Sequence, residues 1–581
     1  MCGIAGVLGR GVEQGAARPL IETLPHRGPN GIRVQDGHGW SLGHARLSII
    51  DLEGGWQPLT AAGSTVIGNG EIYNYVELAA EAGLGEVLAT GSDFEPMLHL
   101  YAAENVGVFE RLRGMFAFCL IGADGERMLV RDGFGIKPLY YSWAGDELRF
   151  ASEPRALLQG GNARVLDPDR VEELLAFHYT LGDRTIFKGV NRLPPGGLLR
   201  WRGGPETSET GDIDQHWLSA EPRRFRDEDE AIQALDAVLE DSVRVHQRSD
   251  VPYGLFLSGG VDSGVIAALM ARLNERPVIA YTCGFDAEGA RDERAQAERV
   301  ARALNLDWRE TLFGEEDFWR VLPQVAWALD EPTTDYATLP TYKLAEAAKG
   351  TLTVVLTGEG GDELFGGYGR YRRSLRPRWL GGRPAEPRVH APYLADKGAA
   401  ALARWREVGL DWASAYGSTA LQAAQIADIK TWLHGDVLLK LDRCLMAHGL
   451  EGRVPFLDNE VAAFAFHLPD SMKIRKGMGK WLLRRWLEKH CPAADPFARK
   501  KGFTVPVGAW IAPRAADLGP RVAAVQGVAE VCDADAVRAV FTDDKQAASR
   551  WPLLFYAVWW TIHVGGAAPK EALRAVLGET G

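Results

Sequence analysis

The sequence predicts two folds in series: an α+β region dominated by strands, then an α/β region built on a parallel sheet. Two patterns and a break between them carry this reading. Up to about residue 200, short apolar runs at 64–67, 115–121, 128–130 and 148–151 alternate with Gly-rich turns, and helical spacing is confined to stretches such as 93–103. Past residue 230, apolar runs at 253–257, 278–283 and 352–356 are bounded by Gly motifs and separated by helical patterns, as parallel βαβ units require. The break is the stretch 201–230, where Gly203, Gly204, Pro205 and the charged run 223–230 read as a connector entering a helix. We therefore divide the chain into residues 1–205 and 206–581, since 581 residues exceed what one core serves.

Composition narrows the function classes. With 46% hydrophobic and 24% charged residues the chain is that of a soluble globular protein. A net charge of −12 argues against a general nucleic-acid or membrane-surface binder. The cysteines at 2, 119, 283, 444, 491 and 532 are far apart and lack zinc spacing, so they read as reduced thiols. The start shows no basic leader and Arg10 interrupts its apolar stretch, which makes a cytoplasmic location the expectation. The apolar run 551–562 falls short of the ~20 residues a bilayer span needs and predicts a buried helix. Clustered Arg, Pro and Gly at 375–397 predict an irregular surface segment.

Cys2 is the first chemical signal. Loss of Met1 would give one residue a thiol and a free α-amine, and an amine titrating near ~7.7–8.0 can take the thiol proton and return it to a leaving group. A lone cysteine is more often a small buried hydrophobe. What outweighs that is the ordered set His26-Arg27-Gly28-Pro29, Gly43-His44-Ala45-Arg46-Leu47-Ser48-Ile49, Gly68-Asn69-Gly70-Glu71-Ile72-Tyr73-Asn74 and Gly91-Ser92-Asp93. Together with Cys2 it resembles the N-terminal-nucleophile glutamine amidotransferases, in the branch that includes glutamine-hydrolysing asparagine synthetases. The resemblance implies an αββα sandwich of two antiparallel sheets for residues 1–205, with Cys2 attacking the glutamine amide. It implies Asn69 and Gly70 as oxyanion donors, Arg46 for the substrate carboxylate, and Glu71 and Asp93 for its ammonium. Leu47, Ser48, Ile49 and Ile50 resemble the adjoining glutamine-binding segment.

The second signal is Ser258-Gly259-Gly260-Val261-Asp262-Ser263-Gly264, between an apolar run and a helical one. Small residues let backbone amides approach an oxyanion closely, and a helix N-terminus adds positive potential. It resembles the pyrophosphate loop of ATP pyrophosphatases, and Thr357-Gly358-Glu359-Gly360-Gly361-Asp362 resembles the second nucleotide-site motif of asparagine synthetases. Asp292-Glu293, Asp330-Glu331-Pro332, Lys440-Leu441-Asp442-Arg443, the segment 446–458 and Lys500-Lys501-Gly502-Phe503 follow in the family order. This implies ATP contacts from Leu257, Ser258, Gly259, Gly260, Asp262, Ser263, Cys283, Thr357 and Gly358, and magnesium on Asp262 and Asp362. It implies Glu359 in acyl-adenylate formation and Lys480 in acyl transfer.

Joined in one chain, a glutaminase and an adenylylating site imply transfer of glutamine nitrogen to an ATP-activated carboxylate, through an apolar ammonia passage. The simplest acceptor is aspartate, giving asparagine, glutamate, AMP and pyrophosphate. The alternatives are a related amidotransferase acting on a sugar acid, peptide or specialised metabolite, or a catalytically silent regulatory module. Departures from the family pattern are Asn30, Thr357, Cys444-Leu445, Gly452 and Asp307-Trp308, several of them expected near the acceptor. Homodimerisation is a further expectation of the resemblance.

Overall fold

The computed structural model describes residues 2–159, 161, 164–213, 216–286, 293–383, 386–498 and 505–579. Asp292 and the segment from Lys500 to Phe503 lie outside the described residues. The first region contains two six-stranded sheets, antiparallel throughout. One runs in the order Asn191–Arg192, Tyr140–Ala144, Glu147–Ala151, Gly3–Leu8, Trp40–Ala45, Ile32–Gly37. The other runs Glu209–Asp212, Gly197–Trp201, Arg127–Arg131, Gly114–Ile121, Ser64–Ile72, Leu59–Ala61.

The period-two alternation of strand side chains sorts the layers. Ala117, Cys119 and Ile121 meet Ile4, Leu8, Leu42 and Phe150 between the sheets. Phe116, Phe118 and Leu120 turn outward against Met97, Leu98 and Tyr101 of helix Glu95–Glu104. Ala5 and Val7 cover the opposite outer face together with helices Arg18–Ile21 and Pro154–Gln159. The layer order is αββα, as the resemblance implied.

The stretch 201–230 is not all connector. Glu209–Asp212, past the division expected at residue 205, pairs antiparallel with Gly197–Trp201 and forms the edge of the second sheet. All four of its residues are exposed, so no hydrophobic alternation marks it and backbone pairing alone holds it. Helix Glu228–His246 follows, with Asp227 accepting from the Glu230 N–H at 2.9 Å as its cap.

The second region is built on five parallel strands in the order Asp307–Phe313, Ile279–Phe285, Tyr253–Phe256, Val354–Leu356, Glu451–Arg453. The direction of winding reverses between Tyr253–Phe256 and Val354–Leu356. Such a switch point opens a crevice at the carboxyl ends of the strands, where ligands bind in open α/β sheets. The two Gly-rich loops leave the sheet at this place. Helix Arg550–His563 is largely buried, and no described helix is long and apolar enough to cross a membrane. Within 375–397 the described residues form a short 3₁₀ turn, Arg378–Leu380, and an isolated bridge from Leu394 to Cys532.

Candidate functional site

The first site is assembled on strand Ser64–Ile72. The half-buried Cys2 donates its N–H to Asn69 Oδ1 at 3.0 Å, and its thiol faces the Leu47 carbonyl at 3.9 Å. Burial pushes the thiol above its ordinary pKa. Asn69 is fully buried, and its Nδ2 has no hydrogen-bond partner among the described residues, leaving a donor in reserve beside the thiol. Gly70 has φ +136°, and a Cβ there would lie 2.0 Å from the Met115 carbonyl oxygen, so only glycine fits.

Arg46 is almost wholly buried, bonded to the carbonyls of Asp51 and Leu52 and packed over Trp56 at 5.1 Å. Asp51 accepts from the Gly54 N–H at 2.8 Å and the Gly91 N–H at 2.9 Å, which ties this loop to the one carrying Asp93. Asp93 accepts from the Ile72 N–H at 2.7 Å, and Glu71 is the residue before it on the same strand. Burial pushes both carboxyls up. Leu47 and Ile49 are buried, Ile50 is half-buried, and the Ser48 N–H donates to Asn30 Oδ1 at 3.0 Å. The geometry therefore sets an arginine and two carboxylates around a thiol with a spare amide donor, the set an amino acid with a reactive side-chain carbonyl requires.

At the second site Leu257 donates to the Tyr281 carbonyl at 2.9 Å and accepts from Thr282 Oγ1 at 2.7 Å. The loop that follows is closed on itself. Gly260 N–H donates to Ser258 Oγ (3.3 Å), Ser258 N–H to Ser263 Oγ (3.2 Å), and the two hydroxyls are 3.0 Å apart. Helix Val261–Leu273 begins there, and the positive end of its dipole favours an anion. Cys283 is buried on the adjacent strand.

The second loop starts at Thr357, whose N–H donates to the Arg453 carbonyl at 2.9 Å. It presses against the first: a Cβ on Gly358 would lie 2.8 Å from Asp262 Cβ, and one on Gly361 2.6 Å from Asp262 Oδ1. Lys480 Nζ bonds Asp262 Oδ2 and sits 2.7 Å from Asp362 Oδ1. Lys480 is itself in the left-handed region (φ 57°), at a cost of about 1 kcal/mol for a non-glycine residue. Its N–H donates to the Phe365 carbonyl at 3.0 Å and its own carbonyl accepts from the Arg484 N–H at 2.9 Å, which hold it there. Burial disfavours its charge, but the two carboxylates outweigh this and hold the ammonium above the usual lysine range. Beyond them, burial pushes Glu359 up against the pull of Lys440, which pairs with Asp335 at 3.0 Å.

Residues 234–562 match the family described as Asparagine synthase, and residues 1–210 the one described as Glutamine amidotransferase domain. The chain belongs to the asparagine synthase family. Asparagine synthetase (glutamine-hydrolyzing) 1 of Bacillus subtilis (strain 168) is 32% identical, over 97% of this chain and 97% of its own length. Asparagine synthetase (glutamine-hydrolyzing) 3 of the same organism is 28% identical over 83% and 82%, respectively. Amidase chry2 of Gibberella zeae is also similar, 28% identical over 88% and 89%.

In this asparagine synthase chain the two sites are joined by buried charge, which the sequence does not reveal. Arg27, fully buried, donates to the Cys2 carbonyl at 3.3 Å, to Glu153 at 2.9 Å, and bidentately to Asp442 at 2.7 and 3.0 Å. Asp442 lies on helix Leu438–Met446, which also carries Lys440 and Arg443. Burial raises the carboxyl, but Arg27 and Arg443 outweigh it and hold Asp442 below the usual range. A buried ion-pair network thus stands directly behind the Cys2 carbonyl.

Trp56, Asp51, Glu153, Asp442 and Arg453 were not among the expected site residues; their roles depend on partners distant in sequence. Of the departures from the family pattern, Trp308 lies on the edge strand Asp307–Phe313 and donates to Thr282 Oγ1 at 2.9 Å. Gly452 packs beneath Leu441, where a Cβ would come within 3.0 Å. Cys444 is core, 3.4 Å from the Thr338 carbonyl.

Proposed function

We propose that this protein transfers the amide nitrogen of glutamine to the side-chain carboxylate of aspartate, with ATP cleaved to AMP and pyrophosphate. The observation that carries the reading is that Cys2 with its Asn69 donor, and Lys480 held by Asp262 and Asp362, stand in one chain joined through Arg27 and Asp442.

Once Met1 is removed, the free Cys2 amine takes the thiol proton, and the thiolate attacks the glutamine amide carbon. Asn69 Nδ2 and Gly70 N–H stabilise the oxyanion, the proton passes to the leaving nitrogen as ammonia departs, and water hydrolyses the thioester to glutamate. At the second site the aspartate carboxylate attacks the α-phosphorus of ATP, and the bond to pyrophosphate breaks. Ammonia then attacks the acyl-adenylate and AMP leaves, with Lys480 and the loop amides binding the oxyanions.

Asp262 and Asp362 converge on a single cation, Lys480 Nζ, and so fit a magnesium held by one or two carboxylates together with phosphate oxygens. When bound, the ion supplies charge neutralisation on the triphosphate. The partners are these small molecules, without nucleic acid or membrane. A homodimer, a cytoplasmic location, which suits the free cysteines, and an ammonia passage between the sites belong to the same proposal.

The test is synthesis by wild type and Cys2→Ala, with glutamine or ammonium as nitrogen source. The variant should lose glutamine-supported synthesis and keep the ammonium-supported reaction; full glutamine-supported activity would remove Cys2 from its role. Similarity to a chain named an amidase favours a second reading, another carboxylate as acceptor. Pyrophosphate release across a panel of carboxylates separates the two.

A further inference from the structure

Arg453 stands in the second region yet reaches the first site. Its Nη2 lies 3.7 Å from Glu71 Oε1, its guanidinium sits over Tyr73 at 5.5 Å, and its side chain is fully buried. The remaining donors are fixed: Nε to Glu451 at 2.6 Å, and Nη1 to the carbonyls of His246 (2.9 Å) and Arg248 (2.7 Å). Nη2 and Glu71 Oε2 are both buried without a hydrogen-bond partner among the described residues. An arginine locked by three bonds therefore presents its last amine to a carboxylate that itself has one oxygen unused.

The backbone of the same residue serves the other site. Glu451–Arg453 is a three-residue edge strand paired to Val354–Leu356, with Leu356 opposite Arg453, and the Arg453 carbonyl accepts from Thr357 N–H at 2.9 Å. Thr357 opens the loop carrying Gly358 and Glu359. One residue thus touches the candidate glutamine ammonium subsite through its side chain and the candidate nucleotide loop through its carbonyl.

We infer that Arg453 is a positioning residue that completes the glutamine ammonium subsite from the synthetase side and links its occupancy to the nucleotide loop. This rests on the assignment of Glu71 to glutamine and of Thr357 to ATP. A bound ammonium shares the Glu71 carboxylate with Arg453 and weakens the pull across the region boundary. The short edge strand, paired on one side only, passes that change to Thr357. Binding at the two sites is then reciprocal, each ligand altering the other's affinity by the same factor.

The linkage is measured by calorimetry on Cys2→Ala, which cannot turn over glutamine, titrating a non-hydrolysable ATP analogue with and without saturating glutamine. The expected result is a change in analogue affinity of about fivefold or more. Equal affinities would overturn the inference. In Arg453→Gln the glutamine KM should rise about tenfold relative to the ammonium-supported rate measured in the same preparation, with part of the loss recovered in Arg453→Lys. A soluble Arg453→Gln with unchanged glutamine KM would also overturn it; if the variant does not fold, the calorimetric result decides. If wild type makes no amide from ammonium, ATP and any carboxylate, the functional reading fails, while the linkage is still read from binding alone.

Discussion

On the proposed reading, Glu71 and Asp93 make the ammonium end of the glutamine site proton-linked, because burial pushes both carboxyls up from their ordinary values. The sign follows from charge. A bound ammonium favours the ionised carboxylates and lowers their pKa, so protons leave on binding and affinity grows with pH until the free-state groups are ionised. The glutamine KM of the hydrolysis reaction should fall as pH rises from about 6 to about 8, where a raised carboxyl titrates. Initial-rate measurements over that range check it, and a flat KM would show that the ammonium is held elsewhere. These two residues were candidates from the sequence, as were Cys2, Arg46, Asn69 and Gly70, because each lies in a short segment whose chemistry is local. Arg27 was legible as part of a motif but its partner was not: Asp442 is 415 positions away. Arg453 fell within the segment 446–458 that follows the family order, but nothing local marked its contact with Glu71, 382 positions away.

At the scale of elements, the active geometry depends on loops that meet without side chains between them. A Cβ on Gly367 would lie 1.8 Å from Asp362 Oδ1 and 2.4 Å from Lys480 Cε, so Gly367→Ala must displace the carboxylate, the lysine or both. A displacement on the order of 1 Å costs ~10²-fold in a positioned reaction. Gly367→Ala should lose about that factor in ATP-dependent amide formation while glutamine hydrolysis at Cys2 continues; unchanged pyrophosphate release would argue that Asp362 and Lys480 do not act together. Elements carrying a hydrophobic period were readable beforehand. The three central strands of the parallel sheet and the strands 114–121 and 147–151 all bury alternating or continuous apolar side chains. Glu209–Asp212 and Glu451–Arg453 were not, because both are short, polar and at sheet edges, where pairing needs only backbone.

Across the whole molecule, the sites are held in relation by charges withdrawn from water. Arg27, Glu153, Asp442, Arg443 and Asp330 form a continuous buried set, each ion next to an opposite one. Removing one partner of such a pair leaves an uncompensated buried charge, at a cost of about 3–5 kcal/mol, so the relative placement of the two regions is strongly specified. On the proposed reading, that specification lets a thiol near the start of the chain serve a carboxylate activated hundreds of residues later. The most direct test of this account follows the nitrogen. Supplied with amide-¹⁵N glutamine, ATP, aspartate and unlabelled ammonium in the solvent, the wild type should place the label in the product amide and release AMP and pyrophosphate in equal amounts with it. Unlabelled product, or ADP in place of AMP, would contradict the account.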